Sequence, residues 1–503
     1  MSRYKQMQKA LKLVGLFGLV SVTFGACTKT GALSAPSPDD PSIPENRPPG
    51  TFDVRIDSLT ANSVVLRWDD AKDEDGDSVH YSIELNGKAI VSDLSVNAYK
   101  LTGLSETSHY TGEVTATDSK TGTSNSSFSF QTPKFYLRYL KRYNYEYGGY
   151  GSGSNVYGVV KANDDGYIVM GRSGRTSSQG SPQLFLMKID LKGNTLWKKF
   201  YHSDTLDDMH TRLATTADGY LATSIYNILK IDNQGAIKWK TRINDFYTGD
   251  HRNALSSVKA DSDGNVYAVG FRGSVLHGVE QEAVLVKLNS SGNLLYEKTI
   301  IDKTSNSKYH NFYDLQIDGS NNLLLFGNVG NQFWIVKTNS EGDELWQKKY
   351  TDGIEFPMPQ KIIQLKNGDY AFCGALWDMH ETYHRFLARI KANGDIVWQK
   401  RDETASSIIY GIDEAKDGSI MAIGTFDFIY KTSMAMFNYD INGIVHYLKS
   451  YEEGFASFQG KDVVTTQDGG YLLAADKAYL NSGEEAQILC FKTDPYWNFR
   501  DLY

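Results

Sequence analysis

The chain has 503 residues, of which 41% are hydrophobic and 22% charged, with a formal net charge of −8. That length accommodates two or more domains with cores of their own. Its 52 Lys and Arg residues are scattered rather than striped, which argues against a nucleic-acid partner.

The 32 Tyr and 45 Gly point to short strands and tight turns, and no stretch sustains a helical period with capping signals. The N-terminus reads as a targeting segment over residues 1–26. Arg3, Lys5, Lys9 and Lys12 form a positive region, and Leu13 to Phe24 an apolar one too short to span a bilayer comfortably. Phe24-Gly25-Ala26 then precedes Cys27. This arrangement resembles a bacterial lipoprotein signal, which implies acylation of Cys27 and attachment to a membrane. Residues 27–50 hold Pro36, Pro38, Pro41, Pro44, Pro48 and Pro49 among Ser, Asp and Asn. Such a stretch cannot bury a core and suits a semi-extended tether.

Residues 51–133 read as a small β-sandwich. Strands are expected over 53–58, 63–68, 80–85, 88–91, 108–118 and 126–131, with Trp68 filling the centre. Leu104 stands six residues before Tyr110, a spacing similar to the tyrosine corner of Greek-key sandwiches, where the phenol ties back to upstream backbone. The segment resembles a fibronectin type III domain, although the proline usual between those two residues is missing. One loop, Asp73-Glu74-Asp75-Gly76-Asp77, sets carboxylates at alternate positions around a Gly turn. Asp73, Asp75 and Asp77 are the candidate ligands for a structural Ca²⁺; the competing reading is a polar turn.

Residues 134–503 repeat one template seven times. An apolar strand leads through a turn to a second apolar strand, a third strand follows a variable loop, and a Gly-centred hairpin leads to a fourth. The turns fall at Asp165, Asp218, Asp263, Asn321, Asn367, Asp417 and Asp468, about 50 residues apart. Hairpin glycines at Gly193, Gly235, Gly292, Gly342, Gly394 and Gly443 are each followed four residues later by an aromatic: Trp197, Trp239, Tyr296, Trp346, Trp398 and Tyr447. Second strands such as Leu323-Leu324-Leu325-Phe326 are apolar on both faces, as sheets stacked between sheets require. The expected fold class is therefore all-β, a small sandwich followed by a seven-bladed β-propeller. The seventh copy, through Gln487 to Asp494, is followed by no good fourth strand. An orphan fourth strand stands upstream in Tyr139-Leu140-Lys141-Arg142-Tyr143, so the strand within 135–144 is expected to close the ring. Segments such as Lys188 to Trp197 resemble the repeats of quinoprotein-type propellers, in which a docking Trp locks adjacent blades. No cofactor constellation accompanies that resemblance, so no cofactor is expected.

Three features resemble chemistry. His380-Glu381-Thr382-Tyr383-His384 fits the zinc-protease pattern, but that chemistry needs a helix, and here the pentapeptide lies in a loop between strands. Cys373 and Cys490 sit inside apolar strands and read as buried free thiols. Tyr145, Tyr147 and Tyr150 on a Gly-rich loop are candidate ligand-binding residues.

The chain thus reads as a non-enzymatic envelope lipoprotein, a monomer or a subunit of an envelope complex. Its propeller would bind a protein or glycan. Such an architecture resembles lipoproteins of Bacteroidota, which implies the outer membrane. The alternative is a polysaccharide-active enzyme in which carboxylates from different blades meet at the propeller axis.

Overall fold

The computed structural model describes residues 46–144, 155–173, 183–202, 212–243, 254–273, 280–351, 353–402, 406–428, 431–454, 456–479 and 486–499. Chain contacts separate two units, with the division between Phe135 and Tyr136.

The first unit is a two-sheet sandwich. Val54–Leu59, Ser63–Trp68 and Ala98–Thr102 form one sheet; Lys88–Leu94, Val79–Leu85, His109–Asp118 and Thr123–Gln131 form the other. Sequence reading gave six strands and missed Ala98–Thr102, a five-residue edge strand in which Leu101 is buried beside Val64 and Leu66. Trp68 lies buried at the centre, its ring 5.5 Å from that of Tyr81. The Tyr110 hydroxyl accepts a hydrogen bond from the Ser105 amide at 2.8 Å. The tyrosine corner therefore forms without its usual proline.

The second unit is built from seven four-stranded antiparallel sheets. In blade 1 the strands run Asn155–Lys161, Tyr167–Arg172, Gln183–Ile189 and Thr195–His202 from the axis outward. Every residue of the second strand of blade 4, Leu323–Val329, is buried, because neighbouring blades cover both of its faces. The fourth strand, Glu344–Tyr350, is mostly solvated. Blade 7 takes its first three strands, Ala456–Thr465, Tyr471–Tyr479 and Gln487–Thr493, from the end of the chain. Its fourth is Tyr139–Asn144. Gln487 opposes Asn144 and Lys492 opposes Tyr139 across an antiparallel ladder; residues 135–138 are not in it.

The constant offset between hairpin Gly and aromatic has a tertiary cause. The side chains of Trp197, Trp239, Tyr296, Trp346 and Trp398 each lie on the hairpin glycine of the next blade. A Cβ on Gly292 would stand 2.6 Å from the Trp239 ring, and one on Gly443 2.7 Å from Trp398. Tyr139 of the closing strand covers Gly193 in the same way. The seventh hairpin departs from the pattern: Trp497, at φ 68, stands where the other six carry Gly. Its amide still donates to the Asp494 carbonyl, at 3.1 Å, and its ring is buried in the core of blades 6 and 7.

Candidate functional site

The acidic loop of the sandwich does not gather as its sequence suggests. Asp73 Oδ1 accepts the amides of Asp75 at 2.9 Å and Asp77 at 3.1 Å, an Asx-type turn. Asp75 is captured by Arg47: it accepts the Arg47 amide at 2.7 Å and the guanidinium Nη2 at 2.6 Å. These bonds, the backbone one first, hold its carboxyl below the ordinary value. Of the three candidate ligands, Asp75 thus stands outside the acidic group that the structure assembles. Asp73 and Asp77 instead approach Asp118, their nearest oxygens within 4.8 Å of one another. Asp118, on the far strand, accepts from the amides of Lys120 at 2.7 Å and Gly122 at 2.8 Å and from Asn46 Nδ2 at 2.9 Å. Lys120 Nζ lies 3.2 Å from Asp77 and supplies positive charge there. Cys27, Tyr145, Tyr147 and Tyr150 lie outside the described residues.

His380, Glu381 and Thr382 of the zinc-protease pattern lie in the hairpin between Tyr370–Trp377 and Tyr383–Ile390, whereas Tyr383 and His384, expected in the loop, open the second of these strands. His380 is exposed at the hairpin tip, whereas His384 is buried. The two imidazoles therefore lack the shared helical face that zinc catalysis requires. His384 Nδ1 lies 3.0 Å from the Asp402 carbonyl and Nε2 3.1 Å from Asp378. Glu355, 3.9 Å away, is paired with Arg401 at 2.6 Å. This is an ion-pair network that pins a loop. Cys373 and Cys490 are buried free thiols, pushed by burial up to about 12.

The propeller axis holds the richest constellation, and its origin is a recurrent bulge. In six blades the ladder between first and second strands slips by one residue, for example between Pro359 and Lys361 and between Gly460 and Asp462. A bulge leaves one residue unpaired and re-aims its side chain. The residues so released include Tyr157, Tyr313, Gln360, Tyr410 and Lys461, and these line a cavity of about 280 Å³. Arg212 of blade 2 and Arg172 complete its charged lining.

The residues that follow the bulge bond from blade to blade. Arg212, at the equivalent register in blade 2, crosses to blade 5 and donates from Nη2 to the Gln360 carbonyl at 2.5 Å. Lys361 of blade 5 reaches Asp462 of blade 7 at 2.6 Å. Gly411 of blade 6 lies between them; a Cβ there would stand 2.7 Å from the Asp462 Cα. Asp462 also accepts the Val159 amide at 3.1 Å, and Asp314 accepts Ser257 Oγ at 2.7 Å and the Ile362 amide at 3.0 Å. Both axial carboxylates thus hold blades together. Lys259 is crowded by the cations Lys361 and Arg212; burial first, then those neighbours, lower its pKa against the pull of Asp314. Burial lowers Lys461 as well.

With this geometry in place, comparison with known proteins identifies one domain. Residues 47–132 match the fibronectin type III domain. No curated protein sequence matches the chain. Among solved structures, it is similar to a quinonprotein alcohol dehydrogenase-like protein from Bacteroides thetaiotaomicron, with 11% identity and TM-score 0.35 over 78% of this chain and 92% of that one. It is also similar to the β-propeller domain of the Trilobed protease from Pyrococcus furiosus, with 10% identity and TM-score 0.38 over 67% and 95%. An α-L-arabinofuranosidase from Fusarium graminearum gives 9% and 0.39 over 71% and 98%. Such values carry nothing about chemistry.

Sequence reasoning missed both the axial residues and the role of Asp118 in the fibronectin type III domain. A faint signal for the first existed: Tyr157, Tyr313, Gln360, Tyr410 and Lys461 each precede their turn by seven or eight residues. Only the bulge turns that column toward the axis. In the fibronectin type III domain, Asp118 is 41 positions beyond Asp77 in sequence, and only strand pairing brings it near.

Proposed function

We propose that this chain is a non-enzymatic envelope lipoprotein, anchored through Cys27 at the outer membrane, whose propeller seats a protein or glycan ligand in the axial cavity. The fibronectin type III domain serves as a spacer. One observation carries the reading: the cavity presents Tyr157, Tyr313 and Tyr410 together with Gln360, Arg212 and Lys461. Tyrosine offers a flat apolar face with a polar tip, suited to a sugar ring or to a protein side chain. Asp314 and Asp462 are held by blade-to-blade bonds, which supports binding over acid–base hydrolysis by a free carboxylate pair. The anchor is supported by the basic, apolar and Cys27 sequence and by the proline-rich stretch after it.

Affinity electrophoresis through polysaccharide-loaded gels tests the binding arm: retardation of the wild type that is lost in Tyr410→Ala is expected. Sustained release of new reducing ends from any retarding polysaccharide would overturn the non-enzymatic reading. Labelling with radioactive palmitate tests the anchor; label persisting in Cys27→Ala would overturn it.

A further inference from the structure

The charge of the axial cavity runs against that of the chain. The chain carries a formal −8, yet the charged residues lining the cavity are Arg172, Arg212 and Lys461, and no carboxylate lines it among the described residues. The fold fixes Arg212 and Lys461. Arg212 is held across the axis by the Gln360 carbonyl. Lys461 stands 4.7 Å from the centroid of the Tyr410 ring and donates to Gln459 Oε1 at 2.7 Å. It also forms a long ion pair with Asp476, at 4.0 Å, and Asp476 accepts the Val156 amide at 2.8 Å. Lys361 is paired with Asp462. Lys259 makes no hydrogen bond or ion pair among the described residues, and both the acids Asp314 and Asp462 and the cations Lys361 and Arg212 act on it.

Gathering like charges in a partly desolvated space is costly unless a counter-ion enters, because water screens them poorly there. The charge is also not placed at random. Lys461 is released toward the axis by the same bulge that releases Tyr313 and Tyr410, so cation and aromatic faces converge on one volume. Arg and Lys aimed at a common point recognise an oxyanion, and the tyrosines around it recognise the ring that carries it.

We propose that the axial cavity binds an oxyanion carried on a sugar ring, a uronate or a sugar phosphate, with Lys461 and Arg212 at the charged group and Tyr157, Tyr313 and Tyr410 around the ring. This rests on the reading of the axial cavity as the ligand seat and adds the chemical class of the ligand.

Isothermal titration of the purified protein tests it with four probes: digalacturonate, its neutral galactose counterpart, galactose 6-phosphate and inorganic phosphate. Saturable binding of digalacturonate or the sugar phosphate is expected, at least about tenfold tighter than the neutral disaccharide and weakened by added salt. Lys461→Gln should reduce that affinity by about tenfold or more, and Arg212→Gln should do the same, with melting temperature checking that each variant folds. Whichever of the two charged sugars binds tighter names the source of the oxyanion. If the neutral disaccharide binds as tightly and Lys461→Gln leaves it unchanged, the oxyanion is wrong while the ligand seat stands. Inorganic phosphate binding as tightly as either sugar would remove the ring from the proposal. Absence of saturable binding by all four probes would overturn the proposal, and retardation in polysaccharide gels that Tyr410→Ala abolishes would then show that the seat itself survives.

Discussion

Arg142 and Glu453 form an ion pair, Nη2 2.6 Å from Oε2, although 311 positions separate them in the chain. Arg142 belongs to the strand Tyr139–Asn144 that completes blade 7, and Glu453 precedes the first strand of that blade. Glu453 also accepts the Tyr451 hydroxyl at 2.7 Å and Lys477 at 3.2 Å. The closure of the ring thus has an electrostatic clasp beside its backbone ladder.

That clasp makes stability depend on acid pH. The Tyr451 hydrogen bond first, then Arg142 and Lys477, lower the Glu453 pKa from 4.5 to about 2 against the opposing effect of burial. Its stabilisation is therefore fully present above about pH 4.5 and is lost as the pH falls through about 2. The Glu453 side chain is 41% exposed, so solvent screens the pair and the expected cost of Glu453→Gln is about 1 kcal/mol at neutral pH. Denaturant titrations of both proteins should converge near pH 2; a difference that persists there would refute the clasp.

Removing residues 136–144 should loosen blade 7 more than blade 1. Hydrogen exchange should quicken first in Gln487–Thr493, whose ladder loses its partner, and less in Asn155–Lys161. The reverse order would mean that closure contributes little to blade 7.

Gly292→Ala should destabilise the propeller by about 2–4 kcal/mol. The residue lies at φ 84, a region costly for a side chain, and the added Cβ would stand 2.6 Å from Trp239, forcing the ring off its seat. Gly418→Ala separates the two causes: it shares a positive φ of 83, but nothing lies within 4 Å of its added Cβ. It should cost about 1–2 kcal/mol less in urea melts.

His380→Ala should leave stability within about 0.5 kcal/mol, as expected at an exposed hairpin tip. His384→Ala removes bonds to Asp378 and the Asp402 carbonyl and should cost about 1–3 kcal/mol. Equal effects of the two substitutions in thermal melts would contradict the asymmetry of this hairpin.

Affinity for a charged sugar should fall with rising pH before an ordinary lysine would lose its charge. Burial lowers the pKa of Lys461, and burial with neighbouring cations lowers that of Lys259, so both discharge before an ordinary lysine would. The Tyr313 hydroxyl is pushed up by burial to about 12, so it stays neutral over that interval. Titrations across pH 7 to 10 should show a steady loss, and an affinity that stays flat would exclude Lys461 from the contact.

The sequence by itself determined the number of copies, the turns, the Gly-to-aromatic offset and the complementary gaps at the two ends. These are local properties: a turn needs Gly or Asp where φ is positive, and a strand covered on both faces must be apolar throughout. Even there one hairpin escaped, because Trp497 fills the slot of a glycine. The tertiary structure decided which polar residues meet. Asp75 turned to Arg47 and Asp118 took its place near Asp73 and Asp77, since a partner from a distant strand leaves no trace in spacing. The axial cavity was decided in the same way. A bulge shifts the register by one residue and reverses which side chain faces inward, and what that side chain meets is supplied by other blades around the axis.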